Sequence, residues 1–215
     1  MLVGVDARKA VADGFPLKNT VTTDLKKGKS YHEVTMSIHT DIFQEFYDMG
    51  HALFKTAPAT YPISFVPGDA LDPNMLRIVP PFDEAPSTEK PDLSTLTSLN
   101  PLAGHCAVIY ASNFLHLFSE ENQLHLARAL AGLLSPQPGS LICGEHAGNS
   151  QKGVFHADHA NITYDMFQHS PESWSAMWDG EIFAKGKVKV DVKLELVDLT
   201  NGMKYNRLVW SVVRL

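Results

Sequence analysis

Two short apolar runs flanking one amphipathic helix pattern constrain this chain more than any other feature. Cys106-Ala107-Val108-Ile109-Tyr110 is almost continuously apolar, as a central strand covered on both faces must be. Ser119-Glu120-Glu121-Asn122 supplies a cap and first-turn acids, and Leu124, Leu126, Ala127, Leu130, Leu133 and Leu134 carry a helix face onward to Pro136. Pro138-Gly139 then turns the chain into a second apolar run, Ser140 to Gly144. Strand, helix and strand over residues 105–144 make a crossover unit, so the expected fold class is α/β with a mostly parallel sheet.

Similar patterns flank this unit. Asp6 to Asp13 reads as a short helix stopped by Gly14 and Pro16, and Asn19 to Asp24 as a brief β-branched strand with a carboxylate at its end. Asp41 to Phe54 repeats apolar residues at three-and-four spacing, a helix, and Ile63 to Val66 is a strand between two prolines. A proline-punctuated stretch follows, with a short helix expected near Leu93 to Leu99. Beyond Gly144 a loop rich in His and Gly leads to a helix over Pro171 to Trp178, capped by Ser170. Lys187 to Asp198 and Arg207 to Leu215 flank Asn201-Gly202, a hairpin signal, so the parallel body finishes with an antiparallel pair.

A chain of 215 residues suits a single domain, 1–215, and 44% hydrophobic with 20% charged residues gives it a core. The formal net charge of −6 argues against partners bound through many phosphates, so no nucleic acid is expected. Cys106 and Cys143 are too few for a disulfide framework and are expected reduced. With no signal-peptide pattern and no apolar run of membrane-spanning length, the sequence points to a soluble, cytoplasmic protein without a membrane partner.

In open parallel sheets ligands sit beyond the carboxyl ends of the strands, and three places there carry polar residues. Asp24 follows Gly4 by the spacing at which an acidic side chain reaches ribose hydroxyls; a solvated turn aspartate is the alternative. Gly68-Asp69-Ala70 follows a strand directly, where a carboxylate accepts from an exocyclic amine and a backbone N–H donates to a ring nitrogen, as adenine requires; an ordinary turn is the alternative. Ser112 to Phe118 follows the central strand. There Asn113 and Phe114 lie where a cofactor's reacting atoms belong, Phe114 and Phe118 can cover a cation, and His116 can accept a proton, unless these side chains simply pack. Ten histidines raise the question of metal, but His156 and His159 lack a fixed third ligand, and no metal site is assigned. Serine-hydrolase, P-loop and zincin motifs are absent from the sequence.

Gly4-Val5-Asp6-Ala7-Arg8-Lys9, Asp13-Gly14-Phe15-Pro16, Asp24-Leu25, Gly68-Asp69, Phe114-Leu115-His116-Leu117-Phe118, Pro138-Gly139-Ser140 and His169-Ser170-Pro171-Glu172-Ser173-Trp174 occur in the order found in fungal secondary-metabolite methyltransferases. The chain resembles that family, including its meroterpenoid-pathway members, and the antiparallel ending is similar to that of class I methyltransferases. The resemblance implies S-adenosylmethionine as cofactor, with Asp24 at the ribose beside Leu25, Asp69 and Ala70 at the adenine, and Gly4 with Asp6 at the methionine end. It also implies a small hydrophobic metabolite methylated on a carboxyl or hydroxyl oxygen; a hydroxyl would need a base, His116 or His146. Family members carry a strand and a glycine-rich turn ahead of the position of Gly4, so the first strand is expected to be missing and the chain truncated at its start. Residues 26–40 are expected to be an inserted surface loop. The rival expectation is a non-catalytic remnant of the fold that binds without turnover.

Overall fold

A computed structural model describes residues 5–22, 25–26, 42–159, 162–198 and 204–215. The chain divides into two compact units, Met1–Leu76 with Lys90–Pro101, and Arg77–Glu89 with Leu102–Leu215.

The first unit opens with α1 (Val5–Ala12), whose exit is made by Gly14 at φ 103°, a left-handed turn that lets Phe15 N–H return to Ala10 O at 3.0 Å. Pro16 leads into a 3-10 turn, Leu17–Asn19, so the strand expected over 19–24 starts only at β1 (Val21–Thr22); Thr23 and Asp24 lie outside the described residues. β2 (Leu25–Lys26) follows, then α2 (Ile42–Leu53), β3 (Ser64–Phe65) and β4 (Gly68–Asp69). β1 pairs parallel with β3, and β2 parallel with β4. Lys26, expected at the start of an inserted loop, is thus a strand residue opposite Asp69; residues 27–40 lie outside the described ones. Ile63, Val66, Ala70, Met75, Leu76 and Leu99 form this unit's buried apolar set. The helix expected near 93–99 is a single 3-10 turn, Leu93–Thr95, because the Asp92 side chain accepts from Ser94 N and fixes a local turn instead.

In the second unit β5 (Val108–Tyr110) leads through α3 (Glu120–Leu133) to β6 (Leu141–Ala147), parallel to β5, which is the crossover read from the sequence. Ser119 caps α3 by accepting from Asn122 N. After β6 come β7 (Gly153–His159) and β8 (Ile162–Gln168), an antiparallel pair where a loop was expected; alternation broken by exposed polar residues concealed it. α4 (Pro171–Trp178) starts in a full capping box on Ser170. The chain ends in β9 (Val188–Asp198) and β10 (Lys204–Arg214), the expected antiparallel pair; Asn201-Gly202 lies outside the described residues.

The sheet order is β5-β6-β10-β9, with β10 inserted antiparallel between β6 and β9. β5 is therefore an edge of this sheet among the described residues, and Val108 (44% exposed) and Tyr110 (53%) are not covered as a central strand would be. An apolar run reports that residues prefer burial, not how many neighbours the strand acquires. No helix among the described residues is long and apolar enough to cross a membrane.

Candidate functional site

Candidate residues stand in both units. In the first, Leu25 pairs with Gly68 and Lys26 with Asp69, so the strand that begins one residue after Asp24 runs alongside the one that carries Asp69. Asp69 is half-buried, and its Oδ1 accepts the Leu71 N–H at 3.0 Å. Its second carboxylate oxygen has no hydrogen bond among the described residues, the state needed to accept from an amine. Ala70 is fully buried. Gly68 lies close under Met75: a Cβ there would lie 2.6 Å from Met75 Sδ unless that side chain shifted. Asp6 lies in α1; its side chain, with Gly4 and Asp24, lies outside the described residues.

In the second unit the segment after β5 is laced to β6. Ala111 N–H donates to Cys143 O at 2.8 Å, and Asn113 N–H to Glu145 O at 2.6 Å. Asn113 has φ 51°, a left-handed conformation that Asn tolerates better than most residues. This turn delivers Phe114 and the 3-10 turn Leu115–Leu117. Phe114 and Phe118 are both buried and meet edge to face with centroids 5.1 Å apart. The two cysteines form no disulfide and are half-buried, and burial pushes the Cys143 thiol up.

The fold brings His116 and His146 together, with ring centroids 6.1 Å apart and planes 23° from parallel. The loop expected to hold His146 is strand: His146 sits inside β6 and is 1% exposed. Its ring meets Trp174 at 4.7 Å and Trp210 at 5.9 Å, and the Trp210 indole N–H donates to His146 Nδ1 at 3.0 Å. His169 also meets Trp174, at 5.2 Å, with its Nδ1 hydrogen-bonded to Ser173 Oγ. Burial disfavours the charged form of each imidazole, lowering His116 to about 4, His146 to about 3 and His169 to about 4. All three are neutral at pH 7.

Sequence reasoning passed over Trp174, Trp210 and His169 as functional neighbours. The available signal was Gly144 two residues before His146, a missing side chain beside a position that needs room. A Cβ on Gly144 would lie 2.1 Å from Ala111 O and 3.2 Å from the Trp210 ring. A surface concavity of about 190 Å³ beside His169, lined also by Glu120, Lys152 and Met177 among others, is smaller than an ordinary cofactor pocket.

The architecture defines an α/β class in which a parallel crossover unit is closed by an inserted antiparallel hairpin. The chain is similar over most of its length to fungal methyltransferases, as its motifs lead one to expect. It is 27% identical over 189 residues to the methyltransferase adrK of Penicillium rubens, covering 87% of this chain and 53% of that protein. It is 25% identical over 176 residues to the O-methyltransferase phiE of a fungal species (82% and 45% covered). It is 24% identical over 190 residues to the methyltransferase ausD of Penicillium brasilianum (88% and 53%). The chain spans about half the length of these relatives. No family model matches it. A solved SAM-dependent methyltransferase from Methanosarcina mazei aligns over 80% of this chain and 76% of its own at 9% identity, with a TM-score of 0.48, below the level that establishes a shared fold.

Proposed function

We propose that this protein is a methyltransferase using S-adenosylmethionine to methylate an oxygen, carboxyl or hydroxyl, of a small hydrophobic metabolite. The observation that carries the reading is the parallel pairing of Leu25-Lys26 with Gly68-Asp69 in a chain whose relatives are methyltransferases. That pairing suits one nucleoside held by two carboxylates, Asp24 one residue ahead of β2 taking the ribose hydroxyls and Asp69 on β4 the adenine amine. On this reading Leu25 and Ala70 would serve the same nucleoside, and Gly4 and Asp6 the methionine end. Residues 1–215 are read as one methyltransferase-like domain. The reading is of a non-membrane, cytoplasmic enzyme with no nucleic-acid partner.

S-Adenosylmethionine supplies a methyl group already activated on a sulfonium, so the protein's contribution is alignment and exclusion of water. Asp69 orients the adenine through its available oxygen. A carboxylate acceptor needs no base. A hydroxyl acceptor must lose its proton, and His116 or His146 is the group to receive it. The neutral state of His116 at pH 7 is the one a base requires, while its position near 4 limits the driving force for removing a proton from a weak acid.

Calorimetric titration with S-adenosylhomocysteine tests the cofactor half: the protein gives saturable heat, and Asp69→Ala weakens binding by roughly tenfold or more, as loss of a charged hydrogen bond implies. No heat at millimolar ligand would leave only a non-catalytic remnant of the fold. Transfer of labelled methyl to a panel of phenols and of aromatic and terpenoid acids then tests the acceptor half.

A further inference from the structure

We infer that Trp210 is a positioning residue that fixes the proton of His146 on Nε2, leaving His116 as the one of the two histidines able to receive a proton from an acceptor. The second half of this assignment rests on the methyltransferase reading; the first half does not.

An indole N–H donates and cannot accept. Placed 3.0 Å from His146 Nδ1, it requires that nitrogen to present its lone pair. A neutral imidazole has one proton, which must then sit on Nε2. The arrangement follows from the sheet. Leu208 of β10 is directly opposite His146 of β6, and Trp210 is opposite Gly144, so Trp210 and His146 are diagonal neighbours on one face. Because Gly144 has no side chain, the indole can lean across its position. Trp174 packs against both rings, at 4.7 Å from His146 and 4.9 Å from Trp210.

His146 is 1% exposed and its Nε2 meets no partner among the described residues. For it to take up a proton, both ring nitrogens would become donors, the Trp210 bond would be lost, and a buried cation would be left without water. Positive charge on His116 or His169 at lower pH would oppose that charge further. His116 stands on the turn after β5, is only partly buried and receives no such bond, so its proton is not fixed in this way.

Nitrogen-15 NMR of the histidine rings decides the assignment. In the wild-type protein at pH 7, His146 shows a bare Nδ1 and a protonated Nε2, a single tautomer that persists from pH 8 down to pH 5. In Trp210→Phe the lock is removed, and a measurable fraction of the Nδ1–H tautomer appears beside the Nε2–H form that a neutral histidine ordinarily favours. A wild-type His146 protonated on Nδ1, or on both nitrogens, would overturn the assignment, whether or not Trp210→Phe folds. Titration of the same sample with S-adenosylhomocysteine separates the two claims. Heat with the wrong tautomer sinks the role of Trp210 and leaves the methyltransferase reading standing; the right tautomer without heat does the reverse.

Discussion

Asp69 lies on a two-residue strand and owes its orientation to one bond within its own turn, from Leu71 N–H to Oδ1, whereas His146 lies within a seven-residue strand and is held by an indole from the next strand and the rings packed around it. The first takes its side-chain bond from a neighbour in sequence, on a strand paired, among the described residues, only with β2; the second depends on β6, β10 and α4 all being in place. Locally held polar groups can be altered with little effect on the fold, because water replaces the missing partner. A polar group held by tertiary packing cannot, because its partners are left buried and unpaired. The second unit therefore couples its candidate residues to folding, and the first leaves Asp69 free to answer to a ligand.

The largest expected effect is at Trp174, which is fully buried and touches His146, His169, Trp178 and Trp210. Trp174→Ala should cost about 3–5 kcal/mol in denaturant unfolding; a loss below about 1 kcal/mol would break the contrast. Next is Gly144→Ala. Its new methyl group meets the Ala111 backbone, which cannot rotate away, so a cost of about 1–3 kcal/mol or more is expected in the same experiment.

Acid sharpens the comparison further. The folded state holds His116, His146 and His169 at about 4, about 3 and about 4, below the value of about 6.5 expected for an unfolded chain. Below that value the unfolded chain binds protons that the folded rings refuse. Their contribution is therefore complete above about pH 6.5 and is lost as pH falls toward the folded values, for His146 at up to about 1.4 kcal/mol per pH unit. The urea midpoint should fall clearly between pH 7 and pH 5, and a flat midpoint would contradict the neutral cluster. The smallest effect belongs to Asp69→Ala, which should change stability by about 1 kcal/mol or less while weakening S-adenosylhomocysteine binding.

The crossover from β5 through α3 to β6 was legible because each element carries its own signal, an apolar run or a capped three-and-four repeat. The closing hairpin was legible from the alternation of Val188, Val190, Val192 and Leu194. The β7–β8 pair was not, since its exposed positions mix Val154 with His156 and leave no clean period. Of the site, His116 and His146 could be chosen as residue types able to move protons. Their meeting could not be foreseen, because it requires β6 to continue through His146 and the turn after β5 to be tied back to Glu145.

By itself the sequence determined the crossover unit over 105–144, the capped α4 and the closing strands, and which side chains are of a type to bind or carry protons, because periodicity, capping and functional-group chemistry act over a few neighbouring residues. Tertiary structure alone decided that β10 enters between β6 and β9, that Val108 and Tyr110 lie on an edge, and that an indole sixty-four positions away addresses His146 Nδ1. Those outcomes depend on strand order and on a buried face completed by distant residues, and no local pattern encodes the partner across a sheet.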